Sequence, residues 1–243
     1  ALKQATNKAE AHSEYSRVMY QKLVYSNDSL YNDWTLDRAY NEAEKAYKLD
    51  AQPAYQHRMA QILYTKGEYQ KAYDMFDALT KTPICNSEIF FEAAQCKTQL
   101  GAPNEQVLVL LDSCVARCPQ PLTTISAPYI LTRGNLRDAM KDYRGALADY
   151  NTYDTLMLGR ASADFYYTRY TCEVNLRQYQ QALNDIAHAA IVAQPDMRPP
   201  YLAELASLQL RVNKLEDAVK TADLCLNLDP KSTDALVIKG VAL

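Results

Sequence analysis

Histidine, cysteine and carboxylate side chains are the groups of this sequence that can act as acids, bases, nucleophiles or metal ligands. The three histidines, His12, His57 and His188, are far apart in the sequence, and none belongs to a His-Glu-x-x-His pattern. The sequence also has no Gly-x-Ser-x-Gly motif and no glycine-rich loop of the kind that binds phosphate. We therefore predict no catalytic residues and no enzyme activity.

The six cysteines do not form a metal-binding pattern. None belongs to a Cys-x-x-Cys pair, and no second Cys or His pair accompanies Cys114 and Cys118, which are four residues apart on one helix face. Cys114 and Cys225 fall on apolar stripes, where a free thiol behaves as a small hydrophobic group. We predict structural cysteines, no metal and no other cofactor.

Carboxylates are dispersed along the chain. Acids with a lysine one helical turn away, such as Glu42 with Lys45, are interpreted as solvated pairs on a helix face.

The chain has 19 Tyr against 4 Phe. We expect these rings on apolar stripes with their hydroxyls reaching the surface, or else lining an aromatic binding groove.

Composition excludes two classes of partner. The net charge is −3 and no run of Lys or Arg exceeds two residues, so we expect no nucleic acid binding, which needs clustered cations. No apolar stretch approaches the roughly 18–20 residues that span a bilayer. We therefore expect a soluble protein without a membrane span. Residue 1 is Ala, as in a processed or cut chain, so exported or periplasmic and cytoplasmic locations both stay open.

Helical periodicity repeats along the chain. Residues 1–32 are predicted to be helical with a break at 27–29, and helix–turn–helix pairs follow. Each second helix has a small or apolar residue where a neighbouring helix must cross closely. These pivot residues, 33, 35, 39, 36 and 36 positions apart, are Ala39, Ala72, Val107, Ala146, Ala182 and Ala218. A period in the mid-thirties predicts a solenoid of helical hairpins.

The pattern resembles the tetratricopeptide-repeat family, whose unit is a helix–turn–helix of about 34 residues. The resemblance is carried by the segments Gly67–Ala72, Lys141–Ala146 and Arg177–Ala182 and by the repeat-ending Leu228-Asp229-Pro230. The chain departs from the family pattern at five positions. Lys141 and Arg177 replace the usual turn glycine, Tyr170 replaces a small residue, and Arg137 and Glu173 stand where an apolar residue is usual.

The resemblance implies an all-α fold: a right-handed α-α superhelix of about six such repeats, forming a single solenoid over residues 1–243. We predict a hinge or long inter-repeat loop at 119–128, where prolines cluster and the spacing is longest. The predicted repeats are 13–50, 53–84, 87–118, 127–158, 163–194 and 199–230, followed by a terminal helix at 233–243.

In this family the first helix of each pair lines a concave surface, so the resemblance places the binding residues there. We expect a polar, neutral groove with scattered rings. Spacing from the pivots also assigns to this face the residues Thr98, Leu131, Asp138, Val174, Ala203, Ser207 and Leu210. The cations of a clamp for a C-terminal carboxylate are missing, because Arg211 alone would not hold one. The candidate partner-binding residues are His57, Gln61, Tyr64, Phe91, Gln95, Asn135, Tyr167, Thr171 and Arg211.

These features predict a protein–protein interaction scaffold that binds a peptide or a partner protein on the concave face. The first alternative is self-assembly, or a role as an adaptor in a larger protein or complex. It is favoured by an apolar last helix with Leu236, Val237, Ile238, Val241 and Leu243. A small-molecule-binding or enzymatic role is the second alternative. The sequence leaves the oligomeric state open.

Overall fold

The computed structural model describes residues 7–25 and 34–242 and contains only helices, turns and loops within them. The predicted break at 27–29 and Leu243 lie outside the described residues. By its internal contacts the chain divides into two compact units, Ala1–Pro121 and Leu122–Leu243, which we call the N-terminal and C-terminal units. The division falls inside the predicted segment 119–128. The prediction of a single solenoid stays a prediction.

Each unit is a series of helical hairpins. The N-terminal unit contains α1 (Lys8–Tyr25), α2 (Leu36–Leu49), α3 (Pro53–Thr65), α4 (Tyr69–Leu79), α5 (Ser87–Gln99) and α6 (Asn104–Ala116). The C-terminal unit contains α7 (Ala127–Ala139), α8 (Tyr143–Leu156), α9 (Ala163–Asn175), α10 (Tyr179–Val192), α11 (Arg198–Arg211), α12 (Leu215–Leu228) and α13 (Thr233–Ala242), with a short 3₁₀ turn at Pro195–Met197. Within a unit, each helix packs against the next one in the chain. The all-α, paired-helix prediction is confirmed.

Small residues allow the close crossings. The predicted pivot residues are all buried: Val107 is 4% exposed, and the five alanines are fully buried. Gly134 of α7, the first helix of its pair, also allows a close crossing, in this case with α8. A Cβ atom built on Gly134 would lie 2.9 Å from the Tyr150 ring of α8, so only glycine fits without movement.

The hairpin turns share one hydrogen-bond pattern. In five of the described turns the residue after the first helix's cap has positive φ: Gly67 (81°), Gly101 (68°), Lys141 (63°), Arg177 (59°) and Asn213 (62°). In each case the next N–H donates to the carbonyl five residues earlier, as Glu68 N does to Leu63 O at 2.9 Å. This is the Schellman closure, for which glycine is the usual residue. The family-derived expectation that Lys141 and Arg177 occupy a glycine position is confirmed.

Buried ion pairs link the first and second helices of two consecutive repeats. Arg133 of α7 donates Nε and Nη2 to the two oxygens of Asp149 on α8, at 3.0 and 2.6 Å. Thirty-six residues later, Arg169 of α9 makes the same two-pronged contact with Asp185 of α10, at 2.5 and 2.8 Å. Both aspartates are buried. Such paired geometry compensates the cost of removing the carboxylates from water.

One position in this repeated arrangement reverses its charge. Arg137 adds a third contact to Asp149, with Nη1 3.0 Å from Oδ2. The equivalent residue of the next repeat is Glu173, which is 5% exposed. Among the described residues, its Oε2 atom has no hydrogen-bond partner. Burial and then the charge of Asp185 raise the pKa of Glu173 to about 7.

The interpretation of Glu42 as a solvated residue was wrong. Glu42 of α2 is 7% exposed, because α1 packs over it. Its Oε2 lies 2.5 Å from Nδ1 of His12 on α1, and its Oε1 accepts from Lys45 Nζ at 2.7 Å.

The expectation that tyrosine hydroxyls reach the surface was wrong for Tyr150. Its ring is fully buried and its hydroxyl donates internally, to Asn135 Oδ1 at 3.0 Å.

Candidate binding site

Three predicted binding residues of the N-terminal unit line one cavity. Gln61 and Tyr64 come from α3, and Gln95 comes from α5, the next first helix. The cavity has a volume of 350 Å³, and we call it the amide cavity. Its wall is completed by residues of α1 and by the side chains Arg58, Thr65, Phe76, Glu88 and Glu92.

His57 is connected to this cavity through Glu92. The His57 Nε2 atom and the Gln61 Nε2 atom contact the two different oxygens of the Glu92 carboxylate, the second at 2.7 Å. Gln61 in turn accepts a hydrogen bond from Arg58 Nη1 at 2.7 Å. The polar groups of Gln61 therefore already have partners within the fold. Phe91, the remaining candidate in this unit, is half-buried on α5 and is not part of the cavity wall.

A larger cavity lies on the first helices of the C-terminal unit. Its volume is 580 Å³, and α9, α11 and α13 all contribute to its wall. Tyr167, Ala203 and Ser207, which the sequence assigned to the concave face, line this cavity. We call it the tyrosine cavity. Its remaining lining residues are Asp164, Pro200, Tyr201, Glu204, Asp234, Val237 and Ile238.

Tyrosine hydroxyls hold two of the carboxylates at this cavity. The Tyr201 hydroxyl of α11 donates to Asp164 Oδ1 of α9 at 2.6 Å, and the Tyr170 hydroxyl donates to Glu204 Oε2 at 3.1 Å. The hydrogen bond to Asp164, together with burial, raises the pKa of Tyr201 to about 12. Burial and then the Glu204 charge raise the pKa of Tyr170 as well. Both tyrosines are therefore neutral donors at neutral pH, and they fix the two carboxylates in place.

Asn135 lies at a second, smaller cavity of the same unit. This cavity has a volume of 190 Å³ and is lined by residues of α7 and α9, with Ser162 before α9. Asp164 also lines it, so the carboxylate is shared with the tyrosine cavity. The two cavities therefore adjoin at Asp164, and together their walls include residues of four first helices.

The structure does not bring the last two candidates to these cavities. The Thr171 hydroxyl donates to Thr168 O within α9, at 2.7 Å. The Arg211 guanidinium lies 5.1 Å from the ring centroid of Tyr179, at the start of the second helix α10. Of the candidate binding residues on α9 and α11, Tyr167 is the one that lines the tyrosine cavity.

The expected neutral groove was wrong for the tyrosine cavity, because three carboxylates line it. Sequence reasoning missed Asp164, Glu204 and Asp234, which come from three different helices. It also missed Tyr201. A signal was present for Asp164, Tyr201 and Glu204, because each is on a predicted first helix within three positions of a residue assigned to the concave face. Asp234 is on the terminal helix, where no residue was assigned to that face.

Comparison with known proteins supports the fold. No protein-family profile matches the chain, and no curated protein matches it in sequence. Solved structures do match. The C-terminal part of a TPR repeat-containing protein from Cytophaga hutchinsonii has a TM-score of 0.65 and 15% identity, and the alignment covers 95% of each chain. The chain has the tetratricopeptide-repeat (TPR) fold.

Two further structures share this TPR fold. PilF of Pseudomonas aeruginosa matches with a TM-score of 0.60 and 14% identity, over 96% of this chain and 98% of that one. The APC/C hetero-tetramer Cut9–Hcn1 matches with a TM-score of 0.53 and 14% identity, over all of this chain. This chain spans 44% of the length of that relative. At these identities the similarity concerns the TPR fold alone.

The described residues contain neither a cluster of potential metal ligands nor a helix suited to cross a membrane. No three or more His, Cys, Asp or Glu side chains among them are grouped so as to hold a metal ion. None of the described helices combines the length and the apolar character needed to cross a bilayer.

Proposed function

We propose that the protein is a non-enzymatic interaction scaffold that binds an extended peptide, or an extended segment of a partner protein, along the first helices of its C-terminal unit. The observation that carries this proposal is the row of two adjoining cavities, which share Asp164 and extend over α7, α9, α11 and α13. A row across four helices suits a chain better than a compact small molecule.

The character of the tyrosine cavity supports a protein ligand. Tyr167 is half-buried and Tyr201 is buried, and their ring centroids are 5.8 Å apart. Both are anchored on helices, so little side-chain entropy would be lost on binding. Tyrosines that are fixed in this way are typical centres of protein interfaces. A binding role is also consistent with the match to a chain of the APC/C hetero-tetramer Cut9–Hcn1, which was solved as a complex.

The test is a selection of random peptides of about ten residues, displayed on phage, against the whole protein. That length reaches roughly 30 Å when extended, enough to lie over several helices. We expect the selected peptides, added as synthetic material, to shift the backbone amide NMR signals of α9, α11 and α13. Peptides that shift only signals of other helices would contradict the proposal.

A matched pair of variants makes this test specific. Tyr167→Ala removes a ring from the tyrosine cavity, and we expect it to weaken binding by about tenfold or more. Tyr143→Ala removes another half-buried tyrosine of the same unit, on the second helix α8, and should leave binding within about twofold. Equal weakening by both variants would indicate a general loss of structure instead of a lost contact.

Self-association is a second candidate function, and α13 favours it. Leu236, Val237 and Val241 are 53%, 64% and 66% exposed on this helix. Apolar side chains of this size that face water on one helix are suited to contact a second copy of the chain. Sedimentation velocity over a range of concentrations tests this function. A monomer that persists to about 0.1 mM would exclude all but very weak self-association.

A further inference from the structure

The side chains that line the tyrosine cavity indicate which chemical class of ligand it binds. This inference rests on the proposed function. Two features coincide there: the paired rings of Tyr167 and Tyr201, and the carboxylates of Asp164, Glu204 and Asp234. The rings meet edge to face, with 60° between their planes. An electron-rich ring face beside carboxylates is the environment that binds organic cations in proteins.

The negative charge at the cavity is not balanced from within. In the part of the chain that the structure describes, no Lys or Arg lines the cavity. Among residues 7–25 and 34–242, no basic side chain forms an ion pair with Asp164, Glu204 or Asp234. This differs from the nearby acids Asp149 and Asp185, which are each held by arginine. Arginine therefore neutralises Asp149 and Asp185, whereas the three acids of the cavity have no ion-pair partner among the described residues.

The hydrogen bonds at the cavity orient these charges without cancelling them. Asp164 and Glu204 each accept from a neutral tyrosine hydroxyl, through one carboxylate oxygen in each case. A phenol donor fixes the carboxylate but adds no positive charge. Asp164 and Asp234 are exposed and Glu204 is half-buried, so all three can meet a ligand that enters from solvent.

We propose that the tyrosine cavity recognises a lysine or arginine side chain of the bound peptide. The aliphatic stem would lie against the rings of Tyr167 and Tyr201, and the charged head would meet the carboxylates. An acidic peptide would be repelled. A purely apolar side chain would take water from the carboxylates without replacing it, which is unfavourable.

The selected peptides supply the first test. We expect them to contain Lys or Arg, and replacing that residue by Gln should weaken binding by about tenfold or more, because Gln keeps most of the stem but not the charge. Raising the salt concentration from about 50 mM to about 500 mM should weaken binding of the original peptide more than binding of its Gln form.

Protein variants test whether the charge dependence of peptide binding arises at the tyrosine cavity. Asp234→Asn removes one cavity charge near the start of α13, and Asp217→Asn removes a charge from the first turn of α12, outside the cavity. We expect Asp234→Asn to weaken the cationic peptide by about threefold or more and its Gln form not at all, while Asp217→Asn changes neither. Tyr167→Phe should retain binding, whereas Tyr167→Leu should weaken it, since only the former keeps the ring face.

The outcomes separate the two proposals. If peptides shift the signals of α9, α11 and α13 but lack Lys and Arg, or tolerate Gln within about twofold, the cation inference is overturned and the interaction function stands. If the selected peptides bind elsewhere, or none binds at about 1 mM, both are overturned. Cationic peptides that bind at these helices, with the Asp234→Asn effect confined to the charged form, would support both.

Discussion

The buried carboxylate of Glu173 is the feature from which stability can be predicted most directly. In the preceding repeat, Arg137 occupies this position and binds Asp149. In its own repeat, Glu173 shares its surroundings with Asp185, and the attraction of Arg169 only partly offsets burial and repulsion. We predict that Glu173→Gln stabilises the C-terminal unit at alkaline pH and leaves it nearly unchanged at acidic pH.

The sign and size of the change in unfolding free energy follow from the pKa of Glu173, which is raised from 4.5 to about 7 in the folded protein. Between these values the folded state holds a proton that the unfolded state has released. The wild-type protein therefore loses stability as the pH rises from about 4.5 to about 7, and the loss is complete above that range. A difference of roughly 2.5 pKa units corresponds to about 3 kcal/mol. This is an upper value, because the new amide must find partners of its own.

The assay is urea unfolding of the full chain, followed by the NMR signals of α9 and α10 at several pH values. The quantity of interest is the difference in unfolding free energy between variant and wild type. We expect it to be near zero at about pH 4.5 and to approach about 3 kcal/mol at about pH 8. A ¹³C NMR titration of the Glu173 carboxyl should show its midpoint near pH 7, as the pKa in the folded protein requires.

A flat difference across the pH range would refute this reasoning, since a titrating group cannot give a constant effect. A carboxyl midpoint near its ordinary value of 4.5 would do the same. Glu216→Gln is the control. Glu216 is exposed on α12, so its replacement should shift the unfolding free energy by no more than about 0.5 kcal/mol at any pH.

Three further predictions concern packing, turns and thiols. Gly134→Ala should destabilise the protein by about 1–3 kcal/mol in urea unfolding, because the new methyl group would lie 2.9 Å from the Tyr150 ring. Lys141→Gly and Arg177→Gly should each raise the thermal midpoint, with a gain of about 0.5–1 kcal/mol, since both positions have positive φ; a lowered midpoint would contradict this. Ellman's reagent should modify Cys85 fast and the five other thiols slowly in the native protein, because Cys85 alone of the six cysteines is not buried. Several thiols modified at one fast rate would oppose this prediction.

The helical pairs were predictable because their signals are local. The small residues at Ala72, Ala146 and Ala182 recur at near-constant spacing, and each is buried where a neighbouring helix crosses. A period of this kind needs no knowledge of distant contacts. The turn positions Lys141 and Arg177 followed from the family resemblance, because they stand where the family usually has its turn glycine.

The site was less predictable, because it depends on which first helices meet. Asp164, Glu204 and Asp234 are up to 70 positions apart in the sequence, and only the packing of α9, α11 and α13 brings them to one cavity. Arg211 was placed on the concave face by spacing alone, but its guanidinium instead lies over the Tyr179 ring. Spacing gives the face of a helix, whereas the direction of a long side chain is decided by its partners.

The hydrogen bonds between consecutive first helices have a consequence for protein engineering. Tyr170 and Glu204 are encoded in different hairpins, and so are Asp164 and Tyr201. Deleting or exchanging one hairpin would separate each donor from its acceptor. The smallest portable cassette that keeps the cavity whole is therefore residues 163–242, which a designer would have to graft as one piece onto another repeat array.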